Sequence, residues 1–377
     1  MHRWRQLPLA VRIGIAVAMV VAVGVGGIVG LTASRPAPSP SASQTASPSP
    51  TPSESATASS SPSPSAIAAR CPLNGIPIKA PIPADRVALL VQVENHPLGR
   101  PARNLGRADI VIESTVEGDV TRFTAFFYCQ PTIGLTGPIR SARYYNIDLW
   151  QQMHALTMAY GASTPARRRF AAAGMPQVNG LINSGAWFRR YGAAPAPHNL
   201  YGDIEALRSA ATSNALIRAL ASQAGALRPP FVIDPTVEPP AGTAVSEVMI
   251  STTSFWHFGW RWDAGLAAWR RTDAGLPVTD AATRLPLTAT SVVVQRITES
   301  IVYDDPDPGG NARRDLHLVG QGTGTLFVDG RAIAVRWSRP SSAAVTTWTY
   351  ADGSPMVLPP GPIWWELVPS IGSVSQR

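Results

Sequence analysis

Residues 109–129 contain two apolar runs joined by a turn: Asp109-Ile-Val-Ile-Glu-Ser-Thr-Val-Glu117, then Gly118-Asp119, then Thr121-Arg-Phe-Thr-Ala-Phe-Phe-Tyr-Cys129. Both runs are rich in β-branched and aromatic residues, and a Gly-Asp pair between two such runs is typical of a β-hairpin. We therefore predict two adjacent antiparallel strands near the start of the folded part of the chain.

The segments around this hairpin mix strand and helix patterns. Patterns of these two kinds predict strands over 87–93 and 155–160 and helices over 142–153, 165–173 and 214–224. Asp203 is a typical N-cap for a further helix that begins at Ile204. Strands and helices in this order predict an N-terminal α/β sandwich over residues 71–228.

The pattern changes after residues 229–244, a proline-studded connector. Short strands recur from about residue 245, with hairpin turns at Asp329-Gly330 and Asp352-Gly353, and no good helix pattern is found. This predicts a smaller, antiparallel β-rich domain over 245–377, so the fold class is α+β or α/β. The aromatic stripe of Trp256, Phe258, Trp260 and Trp262 fits either a sheet core or a platform for sugar rings, and we favour the core.

The N-terminal segment has the pattern of a membrane anchor. Ile13 to Thr32 are twenty positions without a charge, enough helix to span the ~30 Å core of a bilayer. We predict a cytoplasmic basic tail over 1–12, a transmembrane signal-anchor over 13–34 and a disordered Ser/Pro-rich linker over 35–70. A cleaved secretory signal, which would release a secreted protein, is the alternative.

Charge and cysteine content limit the possible partners. The net charge is +8, but four arginines lie in residues 1–35, so the rest carries 28 basic against 24 acidic side chains, or +4. Such a mild excess does not predict nucleic-acid binding. Because the folded part is expected outside the cell membrane, Cys71 and Cys129 are expected to form a disulfide.

Two arginines suggest a site for an anion. Arg140, Ser141 and Arg143 lie at a predicted loop-to-helix entry, where guanidinium groups and helix N–H donors suit carboxylate or phosphate. The competing interpretation is structural ion pairing with Asp109, Glu113, Glu117 or Asp148.

Three carboxylates and one histidine are candidate catalytic residues. Asp109, Glu113 and Glu117 share parity on one strand and would face the same side. Glu113 and Glu117 would lie about 13 Å apart, beyond the ~5 to 9.5 Å of paired glycosidase carboxylates. His198, in a proline-bounded loop, is the most plausible titrating group, although such a histidine is more often scaffold.

Familiar catalytic and cofactor motifs are missing. The sequence has no nucleophile elbow, Walker loop or dinucleotide fingerprint, and its six histidines show no metal-ligand spacing. We therefore expect no cofactor and no metal.

Several strings resemble a known bacterial family. They are Val91-Gln-Val-Glu-Asn-His-Pro97, Arg100-Pro101, Gly137-Pro-Ile-Arg-Ser-Ala-Arg143, Ala196-Pro-His-Asn-Leu-Tyr201 and Asp315-Leu-His-Leu-Val-Gly-Gln-Gly322. On these strings, over roughly residues 72–370, the chain resembles the YerB-like extracytoplasmic proteins, whose domain has no assigned function. The resemblance implies an α/β part followed by a β-rich part, exported and membrane-tethered, usually as a lipoprotein. This chain lacks the lipid-bearing cysteine, so a helical anchor is expected instead.

Two functional hypotheses and one structural alternative follow. The first is a non-catalytic envelope protein that binds an anionic wall component or a wall-synthesis partner. Its predicted ligand-binding residues are Glu94, Asn95, Arg100, Glu113, Glu117, Arg122, Arg140, Ser141, Arg143, His198 and Asn199. The second is an envelope hydrolase that uses Glu113 or Glu117 with His198. A purely structural spacer is the third, and it leaves the polar loops without a role.

Overall fold

The computed structural model of the protein describes residues 69–253 and 256–377. The predicted anchor over 13–34, and the linker up to residue 68, lie outside the described residues. Among the residues that are described, no helix combines the length and the apolar character needed to cross a bilayer.

Four α-helices occur in the described residues, at or near the predicted positions: α1 Asn146–Met153, α2 Thr164–Ala173, α3 Ile204–Ser213 and α4 Ala215–Ala224. Local capping explains three of the starts, since Ser163, Asp203 and Asn214 each accept a hydrogen bond from an N–H in the first turn. Short 3-10 helices span Pro97–Gly99, Leu105–Arg107 and Glu117–Asp119.

The N-terminal part contributes eight strands, of which β2 and β3 are the predicted hairpin. The strands are β1 Leu89–Glu94, β2 Ile110–Thr115, β3 Thr121–Phe127, β4 Leu135–Thr136, β5 Leu156–Ala159, β6 Gln177–Asn179, β7 Phe188–Arg190 and β8 Leu200–Asp203. In the hairpin, Ile110 pairs with Phe126 and Thr115 with Thr121.

From residue 245 on, the described chain forms strands joined by turns and contains no α-helix, as predicted, and two short strands already lie within the connector. The strands are β9 Val232–Ile233, β10 Thr243–Ala244, β11 Glu247–Ser251, β12 His257–Asp263, β13 Ala268–Asp273, β14 Leu276–Pro277, β15 Thr288–Ala289, β16 Ser291–Val302, β17 Arg313–His317, β18 Gly320–Val328, β19 Arg331–Arg339, β20 Thr347–Tyr350, β21 Val357–Leu358, β22 Ile363–Pro369 and β23 Ser373–Gln376.

A single twelve-stranded sheet joins the two parts of the chain. Its order is β10-β19-β18-β16-β22-β2-β3-β1-β5-β6, with β17 paired to β16 and β20 to β19. In its centre, β22 runs parallel to both β16 and β2, so that Ile363 is aligned with Ser291 and with Ile110. The C-terminal part is therefore not purely antiparallel, which corrects the prediction, and the fold is a mixed, sheet-rich α+β arrangement.

Both faces of β22 are covered by apolar side chains. Trp364 packs on Trp260 with ring centroids 5.0 Å apart, whereas Trp365 packs on Phe231 on the opposite face, at 5.3 Å. A strand buried on both faces has a nearly continuous apolar sequence, and all seven residues of β22 are buried.

The second sheet, β14-β13-β12-β11-β23 with β15, carries the aromatic stripe. Phe258 and Trp260 are buried in the same apolar cluster as Trp364, which confirms that they belong to the core. Cys71 and Cys129 form the predicted disulfide, which ties the start of the described chain to the end of the hairpin.

Candidate functional site

Four polar loop segments meet where β1 ends. The amide N–H of Glu94 donates to the Pro138 carbonyl at 2.8 Å, and that of Ile139 donates to Leu200 at 2.6 Å. These bonds bring residues 94–101, 137–143 and 196–201 side by side.

The fourth segment, residues 113–122, joins through Asn95. Its Nδ2 donates to the Glu113 Oε1 at 3.2 Å and to Thr121 Oγ1 at 2.7 Å. The four segments that the sequence singled out therefore surround one place in the fold.

Glu94, His96 and His198 form the centre of this place. Glu94 is 2% exposed, and its Oε1 lies 3.0 Å from His198 Nδ1 and 3.2 Å from Arg140 Nε. The two imidazole rings stack, with centroids 4.8 Å apart and planes inclined by 24°. Burial is the main cause that lowers the pKa of His96, followed by the charge of His198, while Glu94 opposes the shift.

This cluster offers a possible donor set for a metal ion. One ligand atom from each of Glu94, His96 and His198 lies within 4.8 Å of the others. The second such group, Cys71, Asp109 and Cys129, cannot offer thiolates because its two sulfurs are bonded to each other. Chain spacing alone did not reveal the first group, since His96 and His198 come from separate loops.

Three of the four predicted arginines, Arg122, Arg140 and Arg143, have different environments. Arg122 and Arg143 are buried, and both donate to the Ser141 carbonyl, at 2.8 and 3.1 Å. Arg143 is also ion-paired with Glu117, as the structural interpretation predicted. The Arg140 side chain is 27% exposed, and that of the fourth predicted arginine, Arg100, is 21% exposed.

The predicted start of the helix at residue 142 is wrong, because the helix starts four residues later. Helix α1 begins at Asn146, whose Oδ1 accepts the Arg143 N–H at 2.6 Å, so residues 142–145 precede the helix. Arg143 therefore lies three residues before the first helical residue, and its carbonyl accepts the Asn146 N–H at 3.0 Å.

Of the three carboxylates of equal parity only Glu113 lies within β2, so the predicted shared side does not apply, and each carboxylate has its own partners. Asp109 accepts the N–H groups of Tyr128 and Cys129, and burial raises its pKa to about 6 against these hydrogen bonds. Glu113 binds Arg271, at 2.9 and 2.7 Å. Glu117 contacts Arg143 and Arg313 because it lies past the end of β2.

The hydrolase hypothesis is not supported by these contacts. His198 pairs with Glu94, whereas Glu113 and Glu117 are held by arginines. Glu113 also lies in a buried group with Glu366, its aligned neighbour on β22.

The remaining predicted residues line the same place or its edge. Arg100 donates to the Asn95 side chain at 2.9 Å and is ion-paired with Asp273. Ser141 donates to the Tyr160 carbonyl, and Asn199 accepts from Arg190.

Three residues that matter here were missed from the sequence: His96, Arg271 and Glu366. For His96 a signal was available, since Glu94 and His96 are two residues apart at a strand exit and such residues can share a face. Arg271 and Glu366 gave no such signal, because their roles arise from pairing between distant strands.

Comparison with known proteins agrees with this fold. Residues 73–217 match the N-terminal domain, and residues 247–365 the C-terminal domain, of a protein family of unknown function, DUF3048. A Bacillus subtilis (strain 168) protein named "Putative lipoprotein YerB" is 27% identical over 308 residues, 81% of this chain and 88% of that protein.

A crystal structure of Bacillus subtilis YerB superposes with a TM-score of 0.66 at 26% identity, covering 81% of this chain and 99% of that one. The fold and the loop cluster thus define a two-part α+β protein with no assigned activity. Within that class, the chain belongs to the YerB-like DUF3048 family.

Proposed function

We propose that this chain is a membrane-anchored extracytoplasmic envelope protein that binds an anionic group of a wall polymer or of a wall-synthesis protein. The observation that carries the proposal is Arg140. Its side chain is the most exposed of the four predicted arginines, 27% against 21% for Arg100, and it lies on a loop beside two imidazoles. A partly exposed guanidinium can form charge-assisted hydrogen bonds to carboxylate or phosphate.

Other cations near Arg140 favour an anion at the same place. Arg100 and Arg140 both lie close enough to His96 to help lower its pKa, after burial and His198. Arg103 stacks over the Tyr191 ring at 5.3 Å, on the side of the 196–201 loop. Such a concentration of positive charge raises the local concentration of anions.

The envelope location rests on the N-terminal sequence and on the relative's name. Residues 13–32 are uncharged and follow three arginines, which favours a cytoplasmic start and an exterior folded part. The relative is named a lipoprotein, and both cysteines of this sequence are in a disulfide, so a helical anchor replaces the lipid in this proposal. A carboxyl-terminal reporter active only in the cytosol would contradict this location.

Binding can be tested with the full-length chain in detergent and purified wall fragments. We expect Arg140→Ala to weaken binding about tenfold or more, because charge-assisted hydrogen bonds contribute ~1.5–3 kcal/mol. Arg336→Ala, at an exposed position on β19, is the matched control and should bind as the wild type does. Equal binding by Arg140→Ala and Arg336→Ala would rule out this site.

A further inference from the structure

We propose that Glu94, His96 and His198 form a binding site for a divalent transition-metal ion, with Zn²⁺ as the best match. A carboxylate and two imidazoles are the donor set of a class of zinc sites in which the fourth position stays open. The three side chains come from two loops that backbone hydrogen bonds hold together through residues 137–143.

One of the three separations is close to the value that zinc needs. Around a tetrahedral ion with ~2.0–2.1 Å bonds, ligand atoms lie about 3.3 Å apart. Glu94 Oε1 and His198 Nδ1 are 3.0 Å apart, and all three ligand atoms lie within 4.8 Å. In the proposed site the partly exposed ring of His96 would have to move closer to the other two ligand atoms.

A second observation points to a missing partner at Glu94. Its Oε2 is buried and makes no hydrogen bond with any of the described residues. A buried carboxylate oxygen without a hydrogen-bond partner destabilises the folded state, because no interaction compensates for the free energy lost on removing it from water. Gly99 packs against this oxygen so closely that a Cβ would come within 2.5 Å of it.

The groups around the three ligands suit a metal site. Arg140, 3.2 Å from Glu94 Oε1, would act as an outer partner that orients the ligating carboxylate. His96 Nδ1 accepts the Leu98 N–H at 3.2 Å. If His96 bound the metal through Nε2, its ring proton would be on Nδ1, which could then no longer accept the Leu98 N–H. That N–H lies in an exposed turn and would donate to water instead.

This inference deepens the proposed function. An ion with an open position, next to Arg140, would give an anionic ligand a second positive contact. The two proposals can fail separately, because metal binding is measured with the metal alone and ligand binding with wall fragments.

The test is calorimetric titration of the full-length chain in detergent with ZnCl₂, after removal of bound metal by a chelator. We expect one equivalent to bind the wild type. Loss of an outer partner costs 10–100-fold in metal affinity, so His96→Gln and His198→Ala should each lose at least about tenfold. His317→Ala, at an exposed position on β17, is the control and should bind as the wild type does.

Substitution by Co²⁺ gives an independent measurement. Visible absorption bands of four-coordinate cobalt are expected in the wild type and in His317→Ala, and they should be lost in His96→Gln. The circular dichroism spectrum of each variant establishes that it is folded. If the His198→Ala variant does not fold, His96→Gln by itself is the test of the site, since His96 lies at a partly exposed turn. No zinc binding by the wild type, or equal binding by His96→Gln, would overturn the inference.

Discussion

A buried pair of carboxylates in the central sheet makes stability depend on pH. Glu113 and Glu366 are aligned on β2 and β22, and each is 1% exposed. Arg271 binds Glu113 through both oxygens, whereas the one hydrogen bond that Glu366 accepts from a side chain in the described part of the chain is from the Trp260 N–H, at 3.0 Å. Burial, and then the charge of Glu113, raise the pKa of Glu366 well above its usual value, against Arg271 and Trp260.

The sign of the effect follows from proton binding. Above pH ~4.5 the unfolded chain has released the Glu366 proton, while the folded chain still holds it because its pKa is raised. The folded state then binds more protons, so the free energy of unfolding falls as pH rises, by about 1.4 kcal/mol per pH unit for this one group. The free energy of unfolding stops falling for this reason once the pH exceeds the pKa of Glu366 in the folded state.

Glu366→Gln should remove this dependence, because a neutral amide has no proton to lose. Between pH 5 and 7 the variant should therefore gain up to about 3 kcal/mol relative to the wild type. Urea unfolding of the full-length chain, followed by tryptophan fluorescence at each pH with the disulfide intact, measures the difference. Glu238→Gln, at an exposed position in the connector, is the control. A constant difference between Glu366→Gln and the wild type across this range would refute the reasoning.

Three other predictions concern stability, and all can be measured by chemical denaturation. Replacing both Cys71 and Cys129 by Ser should lower the free energy of unfolding by about 4 kcal/mol on the chain-entropy model, with no further loss in reducing buffer. Trp260→Ala should cost ~3–5 kcal/mol, because this fully buried ring packs on Trp364; a cost below ~1 kcal/mol would contradict its place in the core. Arg143→Ala should cost ~3–5 kcal/mol by leaving Glu117 with one arginine fewer in a buried group. The exposed-site control Arg336→Ala should change stability little, and equal effects would contradict a structural role for Arg143.

Local signals explain what could be predicted of the fold. The cap at Asp203 acts within three residues, and it allowed the start of α3 to be predicted; Asn214, predicted as the first residue of a helix, is the cap of α4. The 109–129 hairpin needed only two apolar runs and a turn between them. Where the local signal was weak, as before α1, the predicted start was four residues too early.

The candidate site was only partly predictable. The sequence motifs in the loops indicated which segments belong to the site. They did not indicate which side chains of those segments contact one another. Glu94 and His198 are 104 residues apart in the chain, and 158 residues separate Glu113 from the arginine that binds it. Its partner is Arg271, from a strand of the second sheet.

By itself the sequence determined the longer strands, the four helices apart from the start of α1, and the pairing of the two cysteines, because propensity, capping and cysteine number depend on residue type and near neighbours. Short strands such as β4 and β7 were not predicted. Only the tertiary structure decided that β22 lies between β16 and β2, and that Glu94 joins His96 and His198. Many apolar segments could pair with a given strand, and many arginines could form an ion pair with a given carboxylate. The choice among them depends on packing both faces of one sheet at once.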